Sequence, residues 1–135
     1  MSRTLIPIFL LLLVVGCGQP KINGKVVFSD DKSPVPHGIV IFHEGNRIAR
    51  GMIQSDGSYV MGSLTQKDGL PVGTYKVSIK ETQVNISETS LPIYKNVIDN
   101  KYESPDTSGL FLEVKGSQTY DIEVDRFRVG VRSKR

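Results

Sequence analysis

The sequence predicts an all-β protein, a single seven-stranded Greek-key β-sandwich that follows a cleaved signal peptide. Apolar residues recur at every second position in several short runs, as in Tyr75, Val77 and Ile79, and turn-forming residues separate these runs. No segment between residues 21 and 125 shows the 3.6-residue spacing of an amphipathic helix. About seven such runs in roughly 105 residues are typical of a sandwich.

Each predicted strand has its own pattern. Ile22, Val26 and Phe28 place one face of the first strand in a core, whereas residues 39–42 are apolar on both faces and indicate a central strand. The pair Asp56-Gly57 predicts a hairpin turn, because Gly adopts the positive φ that such turns need. The predicted strands cover residues 22–28, 39–42, 48–54, 59–61, 74–80, 110–114 and 120–124.

The segment 82–107 departs from this pattern. It is polar, long and contains Pro92 and Pro105, and loops beyond about 15 residues are usually functional or disordered. A short edge strand is expected around residues 91–97. Tyr94 and Tyr102 lie in this segment, which makes them candidate ligand-contacting residues, because carbohydrate sites commonly stack aromatic rings on sugars.

The N-terminus has the features of a secretory signal. Arg3 precedes an apolar run from Leu5 to Val15, in which Pro7 is the only irregularity. Eleven residues form a helix of about 16 Å, half of a bilayer's ~30 Å hydrocarbon core. Residues 1–16 are therefore expected to be a cleaved signal peptide. An uncleaved helix with a buried cysteine is the alternative.

The sequence Val14-Val15-Gly16-Cys17 resembles the bacterial lipobox, in which an aliphatic residue and two small or moderate-sized residues precede an obligatory cysteine. This resemblance implies a lipoprotein with diacylglycerol (palmitate-type chains) on Cys17, which is the sole cysteine. Residues 17–20 would then form a short tether to the membrane. Gly18 stands where an aspartate would favour inner-membrane retention, so the outer membrane is favoured. The sequence leaves open whether the domain is periplasmic or faces the exterior.

Charge is distributed unevenly. The chain has a formal charge of +3, but residues 126–135 hold five basic side chains and no acid. The domain at 21–125 is therefore acidic on balance, and no nucleic-acid partner is expected. The basic tail is expected to be solvated and partly frayed, with extension of the last strand or contact with anionic lipid as alternatives.

Four blocks resemble the carboxypeptidase regulatory-like domain, a transthyretin-like (prealbumin-like) β-sandwich. They are Gly24-Lys25-Val26, Pro34 to Phe42, Gly51 to Tyr59 and Gly69 to Val77. The resemblance implies a non-catalytic module that supports binding or stability, and it carries over no active-site residue.

The residues offer little for catalysis. His37 and His43 are the two histidines, whereas a zinc site needs three or four ligands. The chain ends in Val131-Arg132-Ser133-Lys134-Arg135 rather than in the Tyr-Arg-Gly-Ser motif of the transthyretin-like hydrolases. We therefore predict no enzyme activity, no cofactor and no metal. The expected function is a membrane-anchored binding or structural module of the cell envelope, whose partner is an envelope protein or a glycan. A carbohydrate-binding module using the 82–107 segment is the alternative, and an envelope hydrolase is a third.

Overall fold

The computed structural model describes residues 19–62 and 69–128, which form ten β-strands and one turn of 3₁₀ helix at Asn100–Glu103. The all-β prediction is confirmed. Within the described residues, no helix is long and apolar enough to cross a membrane. The strands are β1 (Ile22–Phe28), β2 (Gly38–Glu44), β3 (Arg47–Ile53), β4 (Ser58–Val60), β5 (Gly73–Lys80), β6 (Gln83–Asn85), β7 (Tyr94–Asn96), β8 (Leu110–Val114), β9 (Gln118–Thr119) and β10 (Ile122–Val124).

The strands form two four-stranded sheets and a separate hairpin. In the first sheet β1 is central: β4 pairs antiparallel with it on one side, and β9 and β10 pair parallel with it on the other. The second sheet is antiparallel throughout, in the order β3-β2-β5-β8. β6 and β7 pair only with each other. The two large sheets face one another, which confirms the sandwich.

Alternating side chains from both sheets fill the core. Val26 of β1 is fully buried, as are Phe42 of β2 and Tyr75 of β5. The rings of Phe42 and Tyr75 lie 5.8 Å apart in a tilted arrangement, and Phe42 also meets Tyr120 edge-on at 6.2 Å. Because Tyr120 lies between β9 and β10, this second contact joins the two sheets.

The described residues hold ten strands rather than the seven predicted. The predicted last strand, residues 120–124, is divided: β10 begins at Ile122, and β9 ends at Thr119. The interruption occurs where Tyr120 turns inward and Asp121 accepts a 3.0 Å hydrogen bond from the amide of Lys25. The other two additional strands, β6 and β7, lie in the 82–107 segment, where β7 matches the expected edge strand.

Gly24 allows the neighbouring segments of the first sheet to approach β1 closely. A Cβ atom at this position would overlap the carbonyl oxygen of Tyr120 and approach Cε1 of Tyr59 to 3.1 Å. The same carbonyl accepts a hydrogen bond from the hydroxyl of Tyr59, and burial raises the pKa of that hydroxyl. The absence of a side chain at Gly24 thus permits a buried hydrogen bond across β1.

Candidate interaction surface

The strands β6 and β7 form a hairpin that projects from the sandwich. At its base, the backbone oxygen of Gln83 lies 2.6 Å from Nε2 of His37. Directly after β7, the carbonyl of Val97 accepts a 3.0 Å hydrogen bond from the amide of Phe127. The hairpin is therefore attached to the body of the domain on both sides of its base, close to the end of β10.

The end of this hairpin carries exposed apolar side chains. We call Ile86, Leu91, Ile93 and Tyr94 the hairpin tip; their exposed fractions are 55%, 75%, 57% and 63%. Large apolar side chains that are more than half exposed and grouped on one short hairpin make it a candidate interaction surface. Lys95 is the nearest basic residue along the chain, and its ammonium lies 5.9 Å from the ring centre of Phe127, on the side of the base.

Local hydrogen bonds fix the shape of the tip. The amide of Ile86 donates to the carbonyl of Ile93 at 2.8 Å, which extends the pairing by one step beyond β6 and β7. The side-chain oxygen of Asn85 accepts from the amides of Ser87 and Ile93 at 2.9 and 3.2 Å. The side chain of Asn85 therefore organises the turn of the hairpin.

The structure separates the two tyrosines that the sequence placed together. Tyr94 is exposed, as expected for a ligand contact, but Tyr102 is only 4% exposed and belongs to the core. Its hydroxyl oxygen accepts a 3.0 Å hydrogen bond from the amide of Asp125. Tyr102 therefore offers no ring to a ligand, and its assignment as a ligand-contacting residue is corrected to a core residue. Nearby, a cavity of about 530 Å³ is lined by the polar residues Lys80, Glu81, Gln83, Asn100, Glu103 and Ser104.

The two histidines do not converge. His37 contacts Gln83 at the hairpin base, whereas Nε2 of His43 lies 2.8 Å from the buried hydroxyl of Ser78 on the outer face of the second sheet. Partial burial lowers the pKa of His43, and the positive charges of Lys80 and Arg50 lower it further. Within residues 19–62 and 69–128 there is no cluster of three or more side chains of the metal-ligating types.

Arg126 organises a charged network at the far end of β1. Its Nε and Nη2 atoms contact carboxylate oxygens of Asp30 and Asp31 at 2.8 and 3.0 Å, and its guanidinium stacks 3.8 Å from the ring centre of Phe28. Arg126 is the first residue of the predicted basic tail, but it is packed onto the domain. The carboxylates of Asp30 and Asp31 are therefore ion-pair partners of Arg126.

Hydrogen bonds also hold the first described residues against the rest of the domain. The carbonyl of Pro20 accepts a 2.8 Å hydrogen bond from the amide of Leu70. One residue later, the amide of Lys21 donates to the hydroxyl of Ser117 at 2.9 Å. Cys17, the predicted lipid-attachment residue, and the signal segment 1–16 lie outside the described residues, as does the end of the basic tail from residue 129.

Comparison with known proteins identifies no family for this chain. No protein-family model matches the sequence, and no curated protein matches it at a significant level. A solved structure of a DUF3823 family protein from Bacteroides ovatus is similar, with a TM-score of 0.48 and 19% sequence identity. The match covers 78% of this chain and 44% of that chain, so this chain spans less than half of its neighbour's length. This similarity assigns neither a ligand nor an activity.

Proposed function

We propose that this chain is a lipoprotein of the bacterial cell envelope, anchored through diacylglycerol on Cys17, with a non-catalytic β-sandwich that binds a partner protein. The hairpin tip is the observation that carries the binding role. It presents four apolar side chains that are 55–75% exposed on a hairpin whose turn is held by Asn85. Because such a surface is already ordered, little conformational entropy is lost on binding.

The anchor and the domain type rest on the sequence. The charged start, the short apolar run and the lipobox-like sequence ending at Cys17 together support lipidation. The four glycine-containing blocks support a carboxypeptidase regulatory-like domain, in which a non-catalytic role is expected. A nucleophile would need an accessible hydroxyl beside a base. Ser78 contacts His43, but this serine is fully buried, so we propose no catalytic role for the pair.

A protein partner is favoured over a glycan. The predicted sugar-stacking surface in the 82–107 segment had two tyrosines, and one of them, Tyr102, is buried beside Asp125. Tyr94 remains exposed, but its neighbours at the tip are aliphatic, and aliphatic side chains supply few of the hydrogen bonds that sugar hydroxyls require. An apolar pocket on another protein is the better match for Ile86, Leu91 and Ile93.

Photo-crosslinking in intact cells tests the binding role. A benzophenone amino acid is placed at Leu91, which is 75% exposed, or at Phe111, a matched control that is 67% exposed on β8. The proposal predicts an adduct of one defined mass from position 91 that is absent from position 111. Adding the substitution Ile93→Asp to the chain with the photo-crosslinker at position 91 should reduce this adduct at least tenfold. Equal adducts from both positions, or none from position 91, would contradict the binding role of the tip.

A further inference from the structure

The chain enters the sandwich at one end of its strands. Pro20 is bonded to Leu70, three residues before β5 begins, and Lys21 is bonded to Ser117, three residues after β8 ends. Gly73 of β5 and Val114 of β8 are direct partners across the second sheet. The start of β1, the start of β5 and the end of β8 therefore lie together at one pole of the domain.

The covalent chain limits the distance between this pole and a lipid on Cys17. Three peptide units separate the Cα atoms of Cys17 and Pro20. Each spans at most ~3.8 Å, so the two atoms lie within about 11 Å of each other. If Cys17 carries diacylglycerol, the pole at Pro20 must lie close to the lipid headgroups. This tether is too short to let the opposite end of the domain face the membrane.

The side chains at this pole suit a membrane surface. We call Lys21, Val72 and Lys115 the anchor pole: Lys21 is exposed, Val72 is 61% exposed, and the side chain of Lys115 is 80% exposed. Lys115 lies 3.7 Å from Glu113, and Arg47 pairs with Glu44 nearby at 3.5 Å. Exposed lysines beside an apolar side chain are the usual composition of a surface that rests on anionic headgroups.

The hairpin that carries the tip is attached at the opposite pole. From Gly73 at the anchor pole, β5 spans eight residues to Lys80, a rise of roughly 23 Å, and β6 begins three residues later. The first sheet gives the same direction, because β1 begins beside Ser117 and ends beside Asp125, close to the hairpin base.

We infer that the anchor pole is the membrane-facing surface of the domain and that it contacts anionic phospholipid. This inference depends on the proposed lipid anchor. It adds an orientation: Val72 lies at the headgroups, and the hairpin tip is held away from the bilayer by the length of the sandwich. The partner of the tip would therefore be met in the aqueous phase rather than in the membrane that holds the anchor.

The orientation can be tested with a fluorescent dye on introduced cysteines. Lipidated protein carrying Val72→Cys or Leu91→Cys is labelled and reconstituted in phosphatidylethanolamine–phosphatidylglycerol vesicles that contain headgroup-quenching lipid. We expect quenching at position 72 to exceed that at position 91 at least threefold. Lys21→Glu combined with Lys115→Glu should weaken quenching at position 72, whereas the control Lys25→Glu, on the outer face of the first sheet, should not.

An intact mass of the same preparation separates the two claims. If lipid is present but position 91 is quenched as strongly as position 72, the orientation is wrong and the anchor stands. The orientation is also wrong if lipid is present and neither position is quenched. If the mass shows no lipid, both the proposed anchor and the orientation that depends on it are overturned.

Discussion

The amide of Asp125 donates a 3.0 Å hydrogen bond to the hydroxyl oxygen of Tyr102, which fastens the C-terminal part of the 82–107 segment to the end of β10. The carboxylate of Asp125 contacts Lys101 at 2.8 Å and the hydroxyl of Ser29 at 2.9 Å. The Lys101 ammonium also lies 5.1 Å from the ring centre of Tyr102. The part of the segment around Tyr102 therefore packs against the sandwich, whereas the side chains of the hairpin tip are exposed to solvent.

Removing the ring of Tyr102 should destabilise the whole domain. Tyr102→Ala deletes a buried aromatic side chain, and such changes cost about 3–5 kcal/mol of unfolding free energy. Tyr94→Ala is the matched control, because Tyr94 is 63% exposed and such surface changes stay within about 0.5 kcal/mol. Urea unfolding of the mature protein compares the two. Equal unfolding midpoints would show that the segment is not docked as described.

Gly24 should tolerate no side chain. Gly24→Ala places a Cβ atom against the carbonyl of Tyr120. It should lower the free energy of unfolding by about 1–3 kcal/mol, because the strands must separate to accept the added atom. Gly116→Ala is the control, since a Cβ atom there meets nothing within 4 Å. Thermal unfolding of both variants checks the difference. The contact at Gly24 is disproved if the two alanines are equally tolerated.

The stability of the folded domain should decline in acid, because the carboxylates of Asp31 and Asp125 become protonated. Hydrogen bonds from the hydroxyl and amide of Ser33, and then the charge of Arg126, hold the pKa of Asp31 well below its usual range. Hydrogen bonds from Lys101 and Ser29 lower the pKa of Asp125. Both carboxyls titrate at about 3.9 when unfolded. Their stabilisation is thus complete above that pH and is lost as the pH falls through the folded pKa values.

Unfolding midpoints recorded from pH 7 to pH 2.5 follow this loss. Ser33→Ala should raise the pKa of Asp31, as read from its carboxyl carbon by NMR, because it removes a donor to the carboxylate. An unchanged pKa in this variant would show that the hydrogen bonds of Ser33 do not control the titration.

His43 should titrate below the ordinary value of about 6.5. Partial burial and the charges of Lys80 and Arg50 disfavour its protonated form. Its folded pKa is lower than its unfolded pKa, so its contribution to stability is present above pH 6.5 and lost as the pH falls through the folded value. NMR titration of its ring protons should show an upward shift in Lys80→Gln and none in the control Lys25→Gln. Equal pKa values in these two variants would contradict the electrostatic part of the explanation.

The strands could be predicted because their pattern is local. Tyr75, Val77 and Ile79 alternate with polar residues, and the structure buries all three. This feature depends on the two-residue period of a strand, which is visible in the sequence itself.

The burial of Tyr102 could not be predicted, because it depends on contacts distant in sequence. The segment 82–107 has no apolar period, and the partner of Tyr102 lies 23 residues further along the chain. Arg126 was assigned to a solvated tail because basic residues follow it, yet its carboxylate partners lie 95 and 96 residues before it. The contact between His43 and Ser78 likewise depends on the register of β2 with β5.

The central claim is the lipid anchor, and an intact mass of the protein extracted from its native membrane with detergent tests it most directly. We expect a chain that begins at Cys17 and carries diacylglycerol, with or without one further acyl group. A chain that begins at Met1, or a cleaved chain without lipid, would contradict the anchor and the membrane orientation inferred from it.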